Sequence, residues 1–152
     1  MLKFQRNKLV SIFQDNPKEL RVHGLLDDHI FGLEIDVMVR MDDLTIQFID
    51  GKWNREETPE CSRAIPFLQE AMGFRIDSQE LPLQINKVIS RKSCPHFANL
   101  LLECCRAAQE AVQIVRWQAA RSDQPDLTFD AHVTEAETET VKKQPSLPET
   151  IE

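Results

Sequence analysis

Strand-like alternation starts at Leu20 and recurs twice before residue 50. Leu20-Arg21-Val22-His23 alternates apolar and polar, and Leu25-Leu26-Asp27-Asp28 closes that run. Leu33 to Met41 alternates with odd positions apolar, and Leu44 to Asp50 with even positions apolar. A period of two puts each apolar set on one face of a sheet. The acidic pair Asp42-Asp43 between the last two runs predicts a β-hairpin, and residues 20–28 predict a third antiparallel strand. The hairpin's polar face would carry Glu34, Asp36, Arg40, Thr45 and Gln47. Residues 1–18 mix polar and apolar positions without a period, so they read as irregular, with room for a short helix.

The period then changes. Residues 59–72 predict a helix ending at Gly73, kinked or split by Pro66, which lacks the amide a helix interior needs. Residues 74–93 are ambiguous beyond a short helix near Leu83–Ile89. Residues 95–121 predict the longest helix, with Phe97, Leu100, Leu101, Cys104, Ala108, Ala111, Val112 and Val115 on one face. The expected fold is α+β: a three-stranded antiparallel sheet with helices packed on one face, in a single domain of residues 1–121.

Charge separates the remaining segment. Residues 122–152 hold eight acids and two lysines, a charge of −6 out of the chain's −7; the rest, 17 acids and 16 bases, contributes −1. This stretch is rich in Thr, Glu, Pro and Ser with few large apolar groups, so a disordered acidic tail is predicted. The near-neutral remainder lacks a clustered basic footprint, so no nucleic-acid partner is expected. No apolar run approaches the roughly 20 residues that span a bilayer, so no membrane partner is expected. The N-terminus MLKFQRNKLV has no long apolar core followed by a cleavage site. A cytoplasmic location with reduced thiols is therefore expected.

Cys61, Cys94 and His96 stand out because each sits where a helix should begin. Unpaired amides and a partial positive charge at a helix start lower a cysteine's pKa and favour thiolate. Two thiolates and an imidazole are zinc-type ligands, and His29, Asp28 or Asp27 would supply a fourth. The competing reading is that both cysteines are small apolar groups and His96 a surface residue. Cys104 and Cys105, in mid-helix, read as core. Lys87, Arg91 and Lys92 precede Cys94 and would hold it as thiolate, receive an acidic partner, or simply be solvated. A nucleophilic cysteine with His96 as base is a further reading, but the sequence carries no local signature for an orienting group or an oxyanion site. No dinucleotide, phosphate-loop, metalloprotease or serine-elbow motif occurs, and no catalytic residue is assigned.

The segment from Leu33 to Val112 resembles a bacterial family of uncharacterised proteins, domain-of-unknown-function family 2889. The matching pieces are VMVRMDDLTIQFID, the Pro59-Glu60-Cys61 helix start with Ala64, Leu68 and Gly73, and Ser93-Cys94-Pro95-His96 followed by Leu100 and Leu101. Ser93 stands where that family usually has glycine, and the histidine it places at the hairpin start is missing from Leu33-Glu34-Ile35-Asp36. More distantly, VMVRMDDLTIQFIDGKW followed by Cys61, and SCPHFANLLLECCRAAQEAV, look like parts of U-type iron–sulfur scaffold proteins. Their first ligand, a cysteine before the hairpin, is absent; Asp27, Asp28 and His29 occupy that region. The likeness implies a metal-binding module, with zinc or an iron–sulfur cluster at Cys61, Cys94, His96 and His29. The alternative is a metal-free module that meets a protein partner through the sheet face or the basic cluster.

Overall fold

The structure, a computed structural model, describes residues 1–55 and 59–143. Four strands form one antiparallel sheet in the order of the chain: β1 (Arg6–Asn16), β2 (Glu19–Asp28), β3 (Gly32–Arg40) and β4 (Ile46–Arg55). The hairpin and its preceding strand are as expected, but the sheet has four strands, not three. The extra one is β1, in the segment read as irregular. Its two faces are both partly solvated, so Leu9 and Phe13 fall on one face and Val10 and Ile12 on the other, which leaves no alternation to detect. The turn that makes it is written locally: Asn16 accepts from the Lys18 amide at 2.9 Å and donates to Glu19 at 3.1 Å, around Pro17.

Alternation in β4 also changes phase. A bulge between Met38 and Val39 pairs Val39 with Ile46 and Met38 with Phe48, so Ile49 points into the core and Phe48 out. An extra residue at a bulge inverts every side chain beyond it. This is why the even-position pattern from Leu44 fails after Ile46.

Pro66 splits the next helix as expected, into α1 (Pro59–Arg63) and a 3-10 segment (Ile65–Ala71). α2 (Leu81–Gln84) runs on into wider π-type turns over Ile85–Ser90. The long helix is α3 (Pro95–Ala120). Two compact units divide the chain within it, Met1–Ala111 and the remainder from Val112.

In the first unit, the inner sheet face carries Leu20, Val22, Leu26, Leu33, Ile35, Val37, Val39 and Ile49. They are buried with Phe97, Leu100, Leu101, Cys104 and Ala108 of α3. Gly24, Ile35 and Gly51 form one cross-strand row. A Cβ at Gly24 would lie 2.5 Å from Cys104 Sγ, and one at Gly51 would lie 2.7 Å from Phe97 and 2.6 Å from Leu68. The two glycines of this row let Cys104 and Phe97 of α3 settle against the sheet.

In the second unit, α4 (Phe129–Lys143) lies within the segment expected to be a disordered tail. Thr128 Oγ1 accepts from the Ala131 amide at 3.3 Å, and Trp117 meets Phe129 edge-on with centroids 5.6 Å apart. Composition misses these two devices, a cap and an aromatic anchor. Residues 144–152, the rest of the acidic tail expected from the sequence, lie outside the described residues.

Candidate functional site

α3 begins at the same end of the sheet as the β2–β3 turn, and the candidate residues are placed by that coincidence. Cys94 precedes Pro95, the first helical residue, and its sulfur accepts the Phe97 amide at 3.3 Å. The thiol therefore serves as the helix N-cap. Burial pushes its pKa up, outweighing the Phe97 and His96 amides that pull it down; a neighbouring Cys61 adds to the rise. The expected thiolate is thus not favoured: desolvation beats the helix start, and a protonated thiol is a weak nucleophile and a weak metal ligand.

His96 packs into an aromatic cluster. Its ring lies 4.0 Å from Phe31 and 6.4 Å from Trp53, centroid to centroid, and Trp53 meets Phe97 at 5.2 Å. Burial, then the positive charge of Arg6, lowers its pKa; Asp28 opposes them. His96 is a half-buried packing group, held neutral near pH 7. Cys61, half-buried in α1, joins through its backbone: Trp53 Nε1 donates to the Cys61 carbonyl at 2.6 Å.

The β2–β3 turn is held by Asp28, whose side chain is fully buried. Its carboxylate accepts from Arg6 Nε at 2.9 Å and Nη2 at 2.8 Å, and from the amides of Ile30 at 2.8 Å and Phe31 at 2.6 Å. These bonds, the Phe31 amide first, pull its pKa down to about 2 against the cost of burial. Arg55 ties the turn from β4, donating to Asp27, to the Asp28 carbonyl and, at 3.2 Å, to the Phe31 carbonyl. Asp28 is committed to the turn that presents Phe31 to His96, rather than free to bind a metal. His29 is exposed, with its ring against Phe4 at 5.1 Å, and borders an open polar cavity of about 500 Å³ with Asp27, Asp28 and Arg55.

Trp53 and Phe97 thus link the surroundings of Cys61, Cys94 and His96. Among the described residues, no group of three or more His, Cys, Asp or Glu is placed to hold a metal ion. Cys104 and Cys105 are core, as expected; burial pushes Cys104 up to about 12 and Cys105 higher. Lys87, Arg91 and Lys92 are solvated, and Lys92 pairs with Glu70 at 3.3 Å. Sequence reasoning missed Arg6, Phe31, Trp53 and Arg55. Only the Asp27-Asp28 pair before a strand hinted at them, as a turn signal.

The outer sheet face is the other candidate. Leu9, Phe13 and Phe48 lie there 58%, 43% and 47% exposed. Arg21 lies over the Phe13 ring at 4.4 Å, and His23 Nδ1 is 2.9 Å from Asp36. The face is therefore mixed, not purely polar. No helix among the described residues is long and apolar enough to cross a membrane. No family model, curated protein or solved structure matches this chain.

Proposed function

We propose that this protein is a metal-free protein-interaction module that meets its partner with the outer face of the sheet. The observation that supports this is the exposure of Leu9, Phe13 and Phe48 on one face, beside the charged groups Arg21, Glu34 and Asp36. Apolar side chains exposed on one face offer surface that a partner can cover. The aromatic cluster around His96 has a supporting role: it locks α3 to the sheet end and keeps the platform rigid. The test is capture from an extract of the native host with the full chain as bait, run beside Phe48→Arg. A partner retained by the wild type and lost by the folded variant supports the reading. A profile unchanged by Phe48→Arg overturns it.

A zinc or iron–sulfur module using Cys61, Cys94, His96 and His29 is the second reading. What favours it is that Cys61 lies close enough to Cys94 to raise its pKa. What it lacks, among the described residues, is a third gathered ligand. Elemental analysis of protein purified without a histidine tag tests it. Stoichiometric metal that Cys94→Ser releases would support it, since a hydroxyl is a far poorer zinc ligand than a thiolate. Metal-free protein under zinc supplementation would sink it.

A further inference from the structure

We infer that β1 pairs with β1 of a second copy of this chain, extending the two sheets into one. This rests on the interaction-module reading and names one partner for the sheet. The two edges of the sheet differ. At β4 the edge is partly occupied by the chain itself: the Ile46 amide donates to the Phe74 carbonyl at 2.9 Å, Gly73 donates to Ile46 at 2.8 Å, and Gln69 Nε2 donates to the Ile49 carbonyl at 2.5 Å. At β1 the outer edge carries eleven residues, mostly exposed, with β2 its only strand neighbour among the described residues. A long open edge offers a row of unpaired amides and carbonyls to another strand.

The sequence of β1 selects the occupant. Two copies related by a two-fold axis normal to the sheet pair antiparallel, and each side chain must oppose one on the same face. Centring the axis on Ser11 sets Leu9 opposite the second copy's Phe13 on the outer face, and Val10 opposite its Ile12 on the inner face. The matched stretch runs from Leu9 to Phe13, since β1 shifts register between Phe13 and Asn16. The basic end of each strand also lies beside the acidic end of the other. Centring on Val10 instead sets Asn7 against Phe13, and centring on Ile12 sets Ser11 against Phe13. Only the Ser11 register puts apolar groups together on both faces. It would also cover Leu9 and Phe13, two of the exposed apolar residues on the outer face.

Sedimentation equilibrium of the full chain over a range of concentrations, together with five variants, tests this. The wild type should show a concentration-dependent monomer–dimer equilibrium. Leu9→Lys and Phe13→Glu should each weaken dimerisation by about tenfold or more, and the double variant should regain it because Lys then faces Glu at both symmetric positions. Both residues are exposed, so folding should survive, which circular dichroism confirms. Ser11→Cys should cross-link to a covalent dimer when diamide removes two electrons and two protons from the paired thiols, beyond any wild-type background. Phe48→Arg, on β4 about 14 Å across the sheet, should leave dimerisation unchanged, which separates this inference from the broader reading. A monomer even at about 1 mM protein overturns the inference. So does a dimer indifferent to Leu9→Lys and Phe13→Glu, or a double variant as weak as the singles. Loss of the dimer inference alone leaves capture by the outer face standing.

Discussion

Trp53 binds the Cys61 carbonyl through its indole N–H at 2.6 Å, while its ring meets Phe97 at 5.2 Å. One side chain at the end of β4 thus ties α1 to the start of α3. Both candidate cysteines are positioned by it, Cys61 directly and Cys94 through Phe97, whose amide the Cys94 sulfur accepts.

Trp53→Phe keeps most of the packing and removes the indole donor. It should lower stability by about 1 kcal/mol, the usual net value of one hydrogen bond. Urea unfolding gives the measurement. The same variant should make Cys61 react faster with an alkylating reagent, because α1 loses its anchor. Unchanged stability and reactivity would show that the bond contributes nothing.

Asp28 provides a pH dependence whose sign is fixed by the fold. Its folded pKa, about 2, lies below the ordinary 3.8. A carboxylate depressed on folding contributes stability that is fully present above its unfolded value and lost as pH falls through the folded one. The wild type should therefore be more stable than Asp28→Asn at pH 6, and the gap should shrink between about pH 4 and pH 2. Urea midpoints for both proteins across this range decide it. A gap that stays constant to pH 2 would mean that another group carries the acid sensitivity.

Gly51→Ala tests the close approach of α3. The new methyl would fall 2.6 Å from Leu68 and 2.7 Å from Phe97, both fully buried. The helix or the ring must shift, at a cost of about 1–3 kcal/mol for an overpacked core. Thermal unfolding should show a lower midpoint. Near-UV circular dichroism should change with it, because the Trp53–Phe97 pair is displaced.

The sequence was most legible where one face is buried and one is wet. β2, β3 and α3 are written in their periods, and Pro66 announced the break after α1. β1 was hidden because an edge strand with two half-wet faces has no alternation, and the second half of β4 because a bulge changes phase without any residue marking it. The candidate site was half visible. Local sequence placed Cys94 at a helix start, but whether that environment charges the thiol depends on burial, a tertiary property. The role of Asp28 was similarly out of reach. Its partners Arg6 and Phe31 come from another strand and from the turn itself, and nothing in the order of residues says that a carboxylate will be spent on a turn.

α4 supplies the last test. Phe129, Val133, Ala136 and Thr140 recur at helical spacing along a segment that is otherwise acidic and polar. A helix of fifteen residues with so few apolar groups is marginal alone, so it needs an anchor. Trp117 provides one twice over: its ring meets Phe129, and its indole donates to the Leu127 carbonyl at 2.9 Å. Phe129→Ala removes the ring contact and leaves the Thr128 cap in place. It should reduce the far-UV helical signal by an amount close to that of α4, while the thermal midpoint set by the sheet and the start of α3 stays nearly unchanged. Backbone amide exchange by NMR would locate the loss, with faster exchange confined to residues 129–143. A helical signal equal to that of the wild type would show that the cap and intrinsic propensity suffice. A large fall in the thermal midpoint would show that α4 is coupled to the stability of the sheet.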